Sequence, residues 1–196
     1  ENGLQPGGSP LLGININSYG DKWLRHGETV DRDAFPRLLA KGMDAVVEKM
    51  DYRVVMILTQ IMDVAYAHKV LSFMQHKSRV TVIGNDRYTA EEIMGVTGRL
   101  RFFAGMRLHS LILATAMNVP SIGLAYAPKV RHFMHLMNAQ DSILELADFS
   151  PETFIAHIRR LESGEAQRRA AWTQRVSELK TKALEGYRRL ADRYLR

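Results

Sequence analysis

The sequence predicts an α/β domain with a Rossmann-like, doubly wound parallel sheet and helices on both faces. Three observations carry that expectation. Five short apolar runs recur along the 196 residues. They show little alternation, as strands covered on both faces do. Between most of them apolar residues return every three or four positions, the period of a helix packed on one side.

The chain opens with Gln5-Pro6-Gly7-Gly8-Ser9-Pro10, which reads as a linker and sets residues 1–10 apart. Leu11 to Asn17 is the first apolar run and predicted strand. A helix follows, with Phe35, Leu38, Leu39, Met43, Val46, Val47 and Met50 on one face. Arg53–Leu58 is the second strand, and Val64, Ala67, Val70, Leu71 and Met74 mark the next helix. Arg79–Gly84 is the third strand. Thr89, with Glu91 and Glu92 behind it, is a helix start with acids in the first turn. Arg101–Gly105 is the fourth strand, Ser110–Val119 a strongly apolar helix and Pro120–Tyr126 the fifth strand. Ser150-Pro151-Glu152 opens another helix, with Ser150 as N-cap and Pro151 at the first helical position. Gly164 then separates a long basic helix. The expected division is a domain over residues 11–162 and a C-terminal helix over 163–196, packed on this lobe or on one outside the sequence.

Composition bounds the function. Hydrophobic residues make up 46% and charged residues 24%, ordinary for a globular core. The absence of cysteine excludes disulfides, thiolate nucleophiles and Cys-based metal sites, and suits a reducing compartment. No apolar run approaches the ~18 residues of a membrane span, and no signal peptide is visible. The first residue is Glu1 and not Met, which reads as a fragment or a processed product. Net charge is +6, and residues 151–196 supply +5 of it, eleven Lys/Arg less six Asp/Glu. That excess reads as a solvated helix face, or as contact with an anionic partner or the inner face of a membrane. No nucleic-acid recognition motif accompanies it.

In a doubly wound sheet of order 3-2-1-4-5, ligands sit beyond the carboxyl ends of the strands where the order reverses. Those ends are Asn17-Ser18-Tyr19-Gly20 and Gly105-Met106-Arg107-Leu108-His109. The second lies between a strand and a helix start, where backbone N–H groups and the helix dipole attract anions. Arg107 can grip a carboxylate or phosphate through two parallel hydrogen bonds. His109 can give or take a proton near neutrality. The same pattern also fits an arginine that pairs locally and a histidine that satisfies a buried backbone group. Lys129, after Tyr126-Ala127-Pro128, is either a second cation for this pocket or a surface residue in a turn. Asn15, Asn17 and Ser18 can donate to a ligand or simply turn the chain. His132 and His135 share a helix face, but no carboxylate completes a metal set beside them. The sequence holds no GxGxxG, P-loop, GxSxG or HExxH motif.

The run from Phe102 to Val130 resembles the polysaccharide pyruvyl transferases. It carries Arg107-Leu108-His109, an apolar helix, Val119-Pro120 and a strand ending in Tyr126-Ala127-Pro128-Lys129. Asp63 after the second strand and the Thr89 helix start are similar to the family as well. The resemblance implies one lobe, the C-terminal one, of a two-lobed enzyme similar to GT-B glycosyltransferases. It implies transfer of the enolpyruvyl unit of phosphoenolpyruvate onto two hydroxyls of a sugar, in a cell-surface polysaccharide or its lipid-linked precursor. His109 is then the acid. Arg107, Leu108, Lys129, Tyr126, Asn17 and Ser18 are the substrate contacts, and no metal or cofactor is required. The setting implied is cytoplasmic, at most peripheral at the membrane, and a lone lobe is expected to be inactive. The chain departs from the family at Ala127, where members often carry an acid. It departs again at Asn17-Ser18-Tyr19, where they carry an arginine, a contact that Lys22 or Arg25 is placed to replace. The alternatives are a GT-B lobe that binds a nucleotide sugar, or a non-catalytic binding domain of the same fold.

Overall fold

The structure, a computed structural model, describes residues 8–18 and 33–194. Tyr19, Lys22, Arg25 and the first part of the linker lie outside the described residues. Six parallel strands form one sheet in the order β3-β2-β1-β4-β5-β6. They are β1 (Leu11–Asn15), β2 (Arg53–Leu58), β3 (Val80–Gly84), β4 (Phe102–Gly105), β5 (Ser121–Ala125) and β6 (Ile143–Glu145). The helices are α1 (Ala34–Met50), α2 (Val64–Ser72), α3 (Ala90–Thr97), α4 (Leu108–Ala116), α5 (Pro128–Leu136), α6 (Pro151–Ser163) and α7 (Glu165–Tyr194). The order reverses between β1 and β4, which pair through Leu12↔Phe102 to Asn15↔Gly105. The central strands are buried along nearly their whole length because helices cover both sheet faces.

Each face has its own core. On one, Leu12, Ile14, Val54, Met56, Phe102 and Ala104 meet α1, α2 and α6. On the other, Val55, Ile57, Phe103 and Ala125 meet Leu111 and Ala114 of α4 and Val130 of α5. A Cβ on Gly105 would lie 2.7 Å from Phe103 Cε1 and 3.0 Å from Leu111 Cγ. Glycine there lets α4 sit close on the end of β4.

Several boundaries differ from those the sequence predicts. β1 ends at Asn15, and Ile16 and Asn17 stay buried beyond it. α4 runs Leu108–Ala116 in place of Ser110–Val119. Asn118 takes a left-handed φ of 59° that stops the helix, and Val119 leads into β5. α2 stops at Ser72, with Met74 buried in the turn that follows. β6 lies outside the predicted set. It is three residues long between short 3₁₀ turns, too brief to show a period. α6 and α7 meet at Gly164, where the sequence places the break. The first part of α7 packs on this lobe, with Trp172 buried against Met134, Met137 and Ala139.

Candidate functional site

The carboxyl edge of the sheet at the β1/β4 reversal is held by a closed polar network. Asn15 Nδ2 donates to Ile57 O at 2.7 Å, toward β2. Its Oδ1 accepts from Arg107 N at 3.0 Å, toward β4. One amide therefore ties together the strands on either side of β1. Asp63 lies in the short 3₁₀ turn Ile61–Asp63 ahead of α2 and is fully buried. Its carboxylate accepts from Arg107 Nε at 2.6 Å and Nη2 at 2.8 Å. It also accepts from the backbone N–H of Ser18 at 3.0 Å and the Ser18 hydroxyl at 2.9 Å. A buried carboxylate with four charge-assisted or neutral donors is well compensated.

This arrangement changes the reading of Arg107. The edge of its guanidinium that the sequence offers to a carboxylate or phosphate is bonded to Asp63. Nη1 is the guanidinium nitrogen with no partner among the described residues, and the side chain is 17% exposed. Ser18, a predicted ligand contact, has both its donors on Asp63. Asn17 is buried beside it. In the sequence Asp63 stands out only through its likeness to the family. No local pattern identifies it as the partner of an arginine 44 residues away.

Beyond this network the edge is open. Arg107 is the N-cap of α4, with no side-chain capping bond, so Leu108 and His109 hold the first two helical positions. Ala127 is the N-cap of α5, also without a side-chain cap, so Pro128 and Lys129 hold the same two positions there. Side chains leave the first-turn N–H groups of both helices uncapped, with the positive end of each dipole toward the strand ends. His109 is exposed, and its ring has no hydrogen bond or ion pair among the described residues. Lys129 is exposed and unpaired by any described carboxylate; its Nζ lies 5.4 Å from the centroid of the half-buried Tyr126 ring. That contact is a cation–π pair. β4 and β5 are neighbours, and α4 packs against α5, so the two open helix starts stand side by side.

The other predicted residues fall elsewhere. His132 and His135 lie exposed on α5. Among the described residues no group of three or more His, Cys, Asp or Glu is placed to hold a metal. Glu145, at the end of β6, accepts from Arg131 Nε at 2.6 Å and from Arg131 Nη2. At the opposite edge of the sheet the Tyr52 hydroxyl donates to Glu162 at 2.8 Å. Burial and then that carboxylate push the Tyr52 phenol well above its ordinary range. Arg101 bonds Glu162 and Glu165 there.

Fold and strand order define a Rossmann-like lobe of the kind found in glycosyltransferases. The model of the family "Polysaccharide pyruvyl transferase" matches residues 9–128, more than half of the chain. The chain belongs to the polysaccharide pyruvyl transferase family. Among solved structures it is similar to a mutant O-GlcNAc transferase from Thermobaculum terrenum, at 14% identity and a TM-score of 0.59, over 96% of this chain and 37% of that one. It is similar to the glycotransferase of kitacinnamycin, at 11% identity and a TM-score of 0.56, over 89% and 41%. It is also similar to a family 9 glycosyl transferase from Veillonella parvula, at 15% identity and a TM-score of 0.53, over 80% and 47%. The chain spans less than half the length of each of these structures. No curated protein matches it. Among the described residues no helix is long and apolar enough to cross a membrane.

Proposed function

We propose that this lobe binds phosphoenolpyruvate and, in the whole protein, transfers its enolpyruvyl unit onto a pair of hydroxyls of a sugar. The acceptor is a cell-surface polysaccharide or its lipid-linked precursor, handled on the cytoplasmic side. The observation that carries the reading is the pair of uncapped helix starts on neighbouring strands, one bearing His109 and the other Lys129. The family match supports it.

The donor carries a carboxylate and a phosphate, so it asks for two positive sites. Lys129 and the uncapped starts of α4 and α5 suit the phosphate, and Arg107 Nη1 suits the carboxylate. His109 in its protonated form delivers a proton to the methylene carbon, which becomes a methyl group. The neighbouring carbon turns cationic and a sugar hydroxyl attacks it. Phosphate leaves, the second hydroxyl closes the ketal, and the two hydroxyl protons return to His109 and solvent. Donors at the helix starts stabilise the departing phosphate in place. The residues named need no metal or cofactor for these steps. We expect no turnover by these residues alone, because a two-lobed cleft needs both walls.

The likeness to glycosyltransferases favours a second reading, a nucleotide-sugar site. Such a site presents an acid to the ribose, and Glu145, the acid at the end of β6, is bonded to Arg131. Competition between phosphoenolpyruvate and a uridine diphosphate sugar separates the two. Displacement of phosphoenolpyruvate by the nucleotide sugar at similar concentration would replace our reading with the second.

A further inference from the structure

Asp63 does more than pair with one arginine. Three loops leave the carboxyl edge at the reversal of strand order, after β1, β2 and β4, and all three meet on this one carboxylate. Ser18 comes from the first, Asp63 itself from the second and Arg107 from the third. The pair lies at the border of the site, with Asp63 fully buried and the guanidinium partly exposed. Arg107 is fixed a second time through its backbone N–H on Asn15 Oδ1. Because Arg107 is the N-cap of α4, fixing it also fixes where the helix starts, and with it the position of His109 two residues on.

We propose that Asp63 is a positioning residue for pyruvyl transfer. It aims the free Nη1 of Arg107 at the donor and sets the start of α4 from which His109 acts. This rests on the pyruvyl-transfer reading of the site. The carboxylate cancels the arginine's charge, so Arg107 supplies direction and hydrogen bonding more than net charge. The attraction for the doubly charged phosphate then falls mainly on Lys129. A pair that served only to hold the fold would change stability and leave the rate per folded molecule alone. A positioning pair changes kcat, because a misplacement of about 1 Å at a reacting group can cost on the order of 100-fold.

The test is a double-mutant cycle on the whole protein, using Asp63→Asn, Arg107→Lys and the double variant, with phosphoenolpyruvate and acceptor. The amide introduced by Asp63→Asn keeps an acceptor for Ser18 but cannot take both guanidinium nitrogens. The expected result for Asp63→Asn is a loss of about 30- to 100-fold in kcat with KM for phosphoenolpyruvate changed less than about threefold. In the Arg107→Lys background the same change costs less than about threefold, because its route of action is already gone. Equal factors in both backgrounds, or an unchanged kcat per folded molecule, would overturn the proposal. A second measurement covers variants that fold poorly. In Arg107→Gly, added ethylguanidinium restores transfer when Asp63 is present and fails when Asp63→Asn is added. Rescue that ignores Asp63, or no rescue in either, would also overturn it. A wild-type protein without transfer would sink the pyruvyl reading itself, before any variant is compared.

Discussion

The helices that start at the carboxyl edge of the sheet do so in two ways. The outer ones, α3 and α6, are closed by their own side chains. Thr89 and Glu92 form a reciprocal capping box at α3, and Ser150 and Thr153 do the same at α6. The starts of α4 and α5, at Arg107 and Ala127, have no side-chain cap. Those of α1 and α2, at Asp33 and Asp63, have none either, but there the N-cap carboxylates are held by Arg37 and Lys69 and by Arg107 and Ser18, respectively. What sets α4 and α5 apart is that their open first turns carry His109 and Lys129, exposed and without a carboxylate partner among the described residues. The contrast has a second layer just inside. Arg107 is locked to Asp63 on one side, while His109 and Lys129 face outward without a carboxylate partner among the described residues. The interior of the edge is built for rigidity and its rim for chemistry.

Breaking the locked layer is expected to give the largest effect. Arg107→Ala leaves the Asp63 carboxylate buried without its cation and should cost about 3–5 kcal/mol of stability. Replacing both residues with apolar ones of similar size should recover most of that loss, because no uncompensated charge remains. Urea unfolding of the two variants checks this, and a double variant no more stable than Arg107→Ala would argue against the pair. The open layer should behave in the opposite way. His109→Gln is expected to leave the unfolding free energy within about 0.5 kcal/mol of wild type, as exposed substitutions do. It should lower the transfer rate by about 10²- to 10⁴-fold, the usual weight of a general acid.

The two ends of α7 differ in a similar way. Its first part is tied to the lobe by Arg168 on Asp141, by Arg101 on Glu165 and by Arg169, which donates to the carbonyls of Asn118 and Arg101. Farther along, Leu184, Tyr187, Leu190 and Tyr194 are exposed. The hydrogen bond from Arg168 holds the Asp141 carboxyl below its usual range. Burial works to raise Glu165, but the bonds from Arg101 and Arg169 outweigh it and leave that carboxyl lowered too. Carboxyls depressed in the folded state stabilise it above their unfolded pKa and lose that contribution as pH falls through the folded one. Docking of α7 should therefore weaken as pH drops below about 4. Fluorescence of Trp172 in a Trp23→Phe background reports it, and an emission unchanged down to pH 2 would contradict the assignment.

The smallest effect is at a cap. Ser150→Ala should cost about 1 kcal/mol by removing the cap of α6. Thermal melting measures it, and a variant as stable as wild type would mean that the capping bond to Thr153 contributes nothing.

Much of this edge was legible in the sequence because the signals there are local. The strand-to-helix spacing around Arg107-Leu108-His109 places His109 near a helix start, while Tyr126-Ala127-Pro128-Lys129 shows the end of a strand and a turn, and the start of α5 there comes from the structure. Thr89 with Glu92, and Ser150 with Pro151, announce their caps within four residues. The five longer strands show as apolar runs because helices bury both faces, and they lie in the order the reversal argument assumes. The missing parts are non-local or brief. Asp63 meets Arg107 only because β2 and β4 flank β1, a contact that no window of sequence contains. β6 has three residues and its place is set by pairing with β5. Arg107 fits both a ligand grip and a local pair, and only its distances to Asp63 show which face is occupied.

Whether the donor sits at the open starts of α4 and α5 is decided by calorimetric titration of phosphoenolpyruvate into the whole protein, with wild type beside Lys129→Ala and His109→Gln. The wild type is expected to bind, with affinity weakened at least about tenfold by Lys129→Ala, as loss of a charge-assisted contact worth about 1.5–3 kcal/mol requires. His109→Gln should bind within about threefold of wild type, since its part is in the chemistry. Equal affinity in all three proteins, or no binding by the wild type, would contradict the placement of the donor at the open starts of α4 and α5.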